Sequence, residues 1–109
     1  NTYNNVKVNS SYVKTLTVKS LSGKSKSAKT ATLNWKKLSS ASGYVVYRST
    51  SKNGSYTKIS TIGKNKTITY KDSKLKSKST YYYKIVPYTT IGKTTVYGVD
   101  SKIVSIKIK

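Results

Sequence analysis

The sequence contains no cysteine, no histidine, no glutamate and no methionine, and it has a single proline. Each absence removes a class of chemistry. Without cysteine there is neither a disulfide framework nor a thiolate metal site. Without histidine or glutamate, no side chain is an ordinary general acid or base near neutral pH. A paired-carboxylate mechanism could draw only on Asp72 and Asp100, the two acids of the chain. Asp72 follows an expected strand and opens a crossover, where an aspartate commonly caps a turn. Asp100 lies beside Gly98 near an expected bulge and reads the same way. Metal-ligand sets and glycine-rich phosphate loops are lacking, so no cofactor and no enzymatic activity are expected. No apolar run reaches the length of a membrane span, and no signal peptide is visible. With no methionine to start it, the 109-residue chain is expected to be one domain cut from a longer protein.

What is abundant is lysine. Arginine occurs only as Arg48, and the formal net charge is +20. A genome rich in A and T would favour lysine, asparagine, isoleucine and tyrosine, but it would favour glutamate as well. The bias therefore points to an environment that tolerates or uses a strong positive field. Such charge with 35% hydrophobic residues is compatible with disorder. The pattern argues for a fold instead. Apolar residues are β-branched or aromatic and fall in short alternating runs, as half-buried strands require. Repulsion between lysines should weaken that fold at low salt.

Residues 1–12 are Asn/Ser-rich and read as a linker or lead-in strand. A first strand is expected over Val13–Leu21, with Leu16 and Val18 on one face. "SGKSKSAK" then reads as a charged loop. Lys29–Leu38 places Ala31, Leu33 and Trp35 on one face, and Gly43–Thr50 places Tyr44 and Val46 on one face. Asn53-Gly54 signals a hairpin, since both residues tolerate positive φ. Further strands are expected over Tyr56–Ile62, Thr67–Lys71, Ser79–Thr90 and Thr95–Lys109, the last interrupted near Gly98. "DSKLKSK" between two of them reads as a crossover loop. About seven short strands with turns between them predict an all-β, immunoglobulin-like antiparallel β-sandwich. Pro87 cannot donate to a ladder, so a bulge or an end of regular pairing is expected there.

Three stretches carry a resemblance to the fibronectin type III domain, of the kind found in bacterial surface and secreted proteins of Gram-positive type. "ATLNWKKLSSASGYVVYRS" resembles the family's second and third strands, with Trp35 at its core tryptophan. "SKNGSYTKISTI" resembles the hairpin that follows. "TYKDSKLKSKSTYYYKIVPY" resembles the tyrosine corner, with Leu75 and Tyr81 at the family's leucine and tyrosine. The resemblance covers residues 13–109, which form the expected sandwich domain. Where the family often has Pro-Gly before the corner, Ser77 and Lys78 stand here, and the turn should lose stiffness. No Arg-Gly-Asp is present.

The resemblance and the alternation together divide the run Tyr81-Tyr82-Tyr83. Tyr81, Tyr83 and Ile85 should face the core, beside Trp35, Tyr44 and Leu75, while Tyr82, Lys84 and Val86 face out. Tyr81 should bond back to the backbone of the corner. An outer ligand face would then hold Tyr47, Tyr82, Lys84 and Tyr88. The S-x-x-K spacings at Ser11/Lys14, Ser49/Lys52, Ser55/Lys58 and Ser73/Lys76 are about as many as chance supplies in a chain this rich in both residues. A Lys–Asn cross-link needs a buried acid, and both acids read as turn residues. The sequons at Asn9, Asn53 and Asn65 would matter only in a secretory eukaryotic setting.

Three functions fit these residues. The first is a non-catalytic structural or spacer module of a larger extracellular surface protein, touching only neighbouring domains. The second is attachment to an anionic cell-wall polymer or glycan through Lys24, Lys26 and Lys29 and through Lys71, Lys74, Lys76 and Lys78. Lysine is a mobile point charge and suits diffuse attraction to phosphate or sulfate, whereas arginine would read planar groups. A nucleic-acid platform of Tyr47, Tyr82 and Tyr88 is a variant of that second function, and the third is adhesion to another protein on the Tyr/Lys face. Nucleic acid should otherwise bind only non-specifically, through charge. Lysine-studded edges and net charge favour a monomer.

Overall fold

The computed structural model describes residues 16–109, and among these it contains eight strands and no helix. They are β1 (Ser22–Lys24), β2 (Ala31–Asn34), β3 (Gly43–Ser49), β4 (Thr57–Ile62), β5 (Thr69–Asp72), β6 (Thr80–Ile91), β7 (Thr94–Tyr97) and β8 (Val104–Lys107). β1, β2 and β5 form one antiparallel sheet. β4, β3, β6 and β7 form the other, with β8 also beside β6. The inner faces close on a core of alternating side chains from both sheets, the arrangement of an immunoglobulin-like sandwich. Leu33 and Trp35 come from the smaller sheet's side, and Tyr44, Val46, Tyr83 and Ile85 from the larger. Trp35 and Tyr44 meet edge to face, with centroids 5.4 Å apart. Leu75 is buried in the same cluster, and Tyr81 packs against it from the rim.

The start of the sandwich differs from the sequence expectation. The lead-in of residues 1–12 and the beginning of the strand expected at Val13 lie outside the described residues. Leu16 and Val18 are buried, and among the described residues their segment forms an isolated parallel bridge, Thr17 with Val99, and accepts at Lys19 C=O from Lys36 N–H at 3.0 Å, without a ladder strand. The chain turns at Ser20, where φ is 61°, and ladder pairing begins at Ser22. Alternation reported burial there, not pairing. So part of "SGKSKSAK" is β1, and Lys24 stands on a strand rather than in a loop. Gly23 lets β1 approach the core closely, because a Cβ there would lie 2.5 Å from Ile106 Cδ1. Lys71 stands on β5, as the strand expected over Thr67–Lys71 has it, and not among loop lysines.

One turn needs correction, and the end of regular pairing expected at Pro87 holds on one side of its strand alone. The β3–β4 connection is a hairpin, but neither Asn53 nor Gly54 has positive φ. A longer loop, closed by Gly54 N–H donating to Ser51 C=O at 3.1 Å, does the work of a tight turn. At Pro87, β6 continues against β3, where Tyr44 is its partner. On the other side of β6, pairing with β8 ends at Tyr83 and pairing with β7 begins at Tyr88. In that gap the Pro87 carbonyl accepts from Gly98 N–H at 2.8 Å, and Ile85 N–H donates to Ser101 Oγ at 2.8 Å. Proline is tolerated because its missing N–H falls where the strand changes partner. Gly98 marks the break between β7 and β8. A Cβ there would collide with the Leu16 carbonyl.

Candidate functional site

The seven lysines singled out from the sequence are all exposed. Lys24 and Lys71 flank Thr32 in one row across the smaller sheet. Two strand spacings, about 10 Å, separate them. The other five lie in the loops 25–30 and 73–79. Backbone hydrogen bonds bring these loops together with the end of β8. Leu75 N–H donates to Lys29 C=O at 3.0 Å, Lys29 N–H to Lys109 C=O at 3.1 Å, and Lys78 N–H to Ile108 C=O at 2.7 Å. Consecutive carbonyls of a strand point to opposite sides, so the two loops clamp residues 108–109 between them. Lys107 and Lys109 thereby join the cluster, and both are exposed. Loop 25–30 is tied internally by neutral groups. Ser25 Oγ donates to Thr30 C=O at 2.6 Å and accepts from Lys109 N–H at 3.0 Å.

The backbone at this end is strained. Among the described residues, non-glycine positive φ occurs at Ser20, at the far end of the smaller sheet, and at Lys29, Lys74 and Lys78 here, all at 60–68°. Two of the lysines occupy the third position of a β-turn. Thr30 N–H donates to Ser27 C=O around Lys29, and Ser79 N–H donates to Lys76 C=O around Lys78, both at 3.3 Å. Positive φ at that position defines a turn that normally takes glycine. The Ser77-Lys78 replacement thus keeps the turn's shape, and its cost is a left-handed lysine rather than lost stiffness alone. The turn also holds the tyrosine corner, where Lys76 N–H donates to Tyr81 Oη at 2.9 Å.

Neither acid balances these lysines. Asp72 does cap a turn, accepting from Ser73 N–H at 3.1 Å, but it is also buried, at 7% exposure. Its Oδ2 accepts from Arg48 Nη1 at 2.8 Å and from the Tyr83 hydroxyl at 2.7 Å. That trio ties β5 of one sheet to β3 and β6 of the other. Burial alone would lower the Arg48 pKa, but the hydrogen bond and charge of Asp72 more than offset it, and the pKa is raised. Burial, then the hydrogen bond and charge of Asp72, push the Tyr83 phenol far above its ordinary value. Asp100 pairs with Lys84 at 2.6 Å. Among the described residues these are the two ion pairs.

The outer face of the larger sheet carries the second grouping. Tyr47 and Lys84 are direct neighbours in the β3–β6 ladder. Tyr82 stands opposite Ser49 and Tyr88 opposite Gly43, so the expected face is spread along β6. Its centre is an open cleft of about 490 Å³, lined by Tyr47, Gly54, Tyr56, Lys84, Val86, Tyr97, Gly98 and Asp100. Val86 faces out but is buried at 7% exposure, opposite Val45. The Lys84 ammonium lies 4.7 Å from the Tyr56 ring centroid and 5.7 Å from that of Tyr47. The Tyr56 hydroxyl donates to Lys52 C=O at 2.8 Å, which pins the ring to the β3–β4 loop. Tyr82 and Tyr88 do not line the cleft. Tyr56, Tyr97 and Asp100 do, and the sequence reading missed them. A tyrosine just before β4 and another opposite Tyr88 were the signals available, but only the register reveals which rings share a hollow.

No protein-family model matches the chain, and no curated protein matches it. Solved structures do. A fibronectin type III-like protein from Clostridium thermocellum is 28% identical, with a TM-score of 0.70 over 83% of this chain and 88% of that one. The FN1–FN3 domains of chicken CNTN1 are 18% identical, with a TM-score of 0.70 over 85% of this chain and 32% of that one. A β-1,2-glucanase from Parabacteroides distasonis is 16% identical, with a TM-score of 0.64 over 84% of this chain and 12% of that one. The fold is that of a fibronectin type III domain. Domains of this fold are commonly structural or spacer modules in larger proteins, and the match spans 32% of the CNTN1 chain and 12% of the glucanase chain.

Proposed function

We propose that this chain is a non-catalytic structural module of a larger extracellular surface protein, and that its lysine end attaches to anionic wall polymers or glycans. The observation that carries this reading is the set of left-handed lysines. Lys29, Lys74 and Lys78 hold conformations that glycine or asparagine would adopt more cheaply. Residues held in such regions cluster where a surrounding function makes use of them. Here the side chain gained at each strained position is a positive charge, and all three lie at the same end. The one acid near that end is buried and engaged by Arg48 and Tyr83, so the ammonium groups face solvent unbalanced.

Flexible point charges on a clamped backbone suit an irregular polymer of phosphate or sulfate groups. They do not suit base-specific readout, so nucleic acid is held only through its backbone charge. Co-sedimentation with purified Gram-positive walls at about physiological salt tests the reading. Binding that disappears when teichoic acid is stripped supports attachment to wall phosphate. Binding to heparin-coated beads but not to walls moves the partner to sulfated glycans. Retention by neither removes the attachment and leaves the structural module alone.

A further inference from the structure

We infer that the tyrosine cleft on the outer face of the β4-β3-β6-β7 sheet binds a neutral saccharide chain. Three rings line it, from Tyr47, Tyr56 and Tyr97, with Val86 in the sheet beneath. Tyr97 is 55% exposed, with its ring 6.3 Å from that of Tyr88, and so presents aromatic surface to a ligand in the cleft. Its volume lies within the range of small-molecule sites. A pyranose ring has apolar C–H faces and a rim of hydroxyls. The first stacks on aromatic faces, and the second asks for a few fixed donors and acceptors. Lys84 and Asp100 supply both kinds, and the Asp100 side chain remains 54% exposed beside its partner.

The charge of the cleft selects the ligand class. On a surface of net charge +20, the one ammonium that lines this cleft is neutralised by Asp100 at 2.6 Å and sits against the Tyr47 and Tyr56 rings. An anionic group entering here would have to displace a carboxylate first. Neutral hydroxyls need not, because Lys84 and Asp100 each keep hydrogen-bonding capacity beyond their mutual contact. The cleft therefore separates from the lysine end in both chemistry and position, and its ligand does not depend on the attachment proposed above.

The test uses the whole ¹⁵N-labelled chain at about physiological salt. It is titrated with neutral β-linked hexasaccharides of glucose, N-acetylglucosamine, mannose and xylose, and with a dextran sulfate and a hexathymidylate as charged probes. The inference expects saturable amide shifts at Tyr47, Tyr56, Lys84, Tyr97 and Asp100 with at least one neutral hexasaccharide below about 10 mM. Tyr97→Ala should weaken that binding about tenfold or more, while Tyr97→Phe retains it. Tyr97 is exposed, so neither variant threatens the fold. Lys74→Gln with Lys78→Gln should leave saccharide binding unchanged. The inference is overturned if no neutral hexasaccharide shifts these amides. It is equally overturned if Tyr97→Ala binds as tightly as the parent, or if a charged probe occupies the cleft more tightly than every neutral one.

Discussion

The lysine end and the tyrosine cleft each contain one of the chain's two acids, and they orient it differently. At the lysine end Asp72 points inward, to Arg48 and Tyr83, and leaves Lys24, Lys26, Lys29, Lys74, Lys76 and Lys78 without a counter-charge. At the cleft Asp100 points outward to Lys84 and cancels it. One acid therefore ties the sheets together, and the other tunes a surface. On a chain this basic, a neutral hollow is as informative as a charged end. The backbones differ in the same sense. The lysine end holds three left-handed lysines, whereas Tyr47, Lys84 and Val86 of the cleft are set by the unbroken register of β3 on β6, with a bulge against β4 at Tyr47.

The largest test of that contrast is removal of each acid. Asp72→Ala leaves a half-buried guanidinium and a buried phenol without their acceptor, and should cost about 3–5 kcal/mol of stability. Asp100→Ala breaks a pair on an exposed carboxylate and should cost about 0–1 kcal/mol. Urea denaturation measures both. Equal losses would mean that the two acids do the same work.

A smaller effect appears at high pH. Tyr83 titrates higher in the folded chain than its unfolded value of about 10. Above that pH the unfolded chain releases a proton that the folded chain keeps. Stability should therefore be unaffected below it and fall by up to about 1.4 kcal/mol per pH unit as pH rises further. Tyr83→Phe should flatten that slope, read against the parent so that lysine deprotonation, common to both, cancels. An unchanged slope would detach Tyr83 from the Asp72 network.

Salt should act in the other direction. Raising ionic strength from about 0.01 M to about 0.3 M should lift Tm by several degrees, because it screens lysines that no acid balances. A flat or falling Tm would mean that repulsion does not limit the fold. The finest comparison is at one residue. Lys78→Asn relieves both charge and the left-handed backbone, while Lys78→Gln relieves charge alone. Asn should be more stable than Gln by about 0.5–1 kcal/mol, with equal loss of polyphosphate binding. If Gln matches Asn in stability, the backbone strain is not real.

Much of the sandwich is legible in the residues. Ala31, Leu33 and Trp35 alternate into the core, and so do Tyr83 and Ile85, because one face of each strand is buried. The fold follows from that alternation and from the turns between the strands. Over residues 16–21 the expected ladder strand is replaced by an isolated bridge of Thr17 to Val99, although Leu16 and Val18 alternate into the core as a ladder strand would. The pattern of the sequence assigns Asp72 to a turn, and it does cap one. Its burial depends on Arg48, which lies 24 positions away and arrives only when the two sheets meet. The same holds for the functional surfaces. Lysines of three segments come together through bonds such as Lys78 N–H to Ile108 C=O. The cleft needs Tyr47, Tyr56 and Tyr97 brought onto one face by strand register. No local period encodes either.

The most direct test compares two variants of identical net charge. One replaces Lys26, Lys29, Lys74, Lys76 and Lys78 with glutamine at the lysine end. The other replaces Lys36, Lys37, Lys64, Lys66 and Lys93, in the loops of the opposite end, where Tyr44 and Asn65 join the β2–β3 and β4–β5 connections. Binding of each to teichoic-acid-bearing walls is measured at about physiological salt. A located site predicts a loss of about tenfold or more for the first variant and little change for the second. Equal losses would contradict it, because net charge and not the lysine end would then hold the chain to the wall.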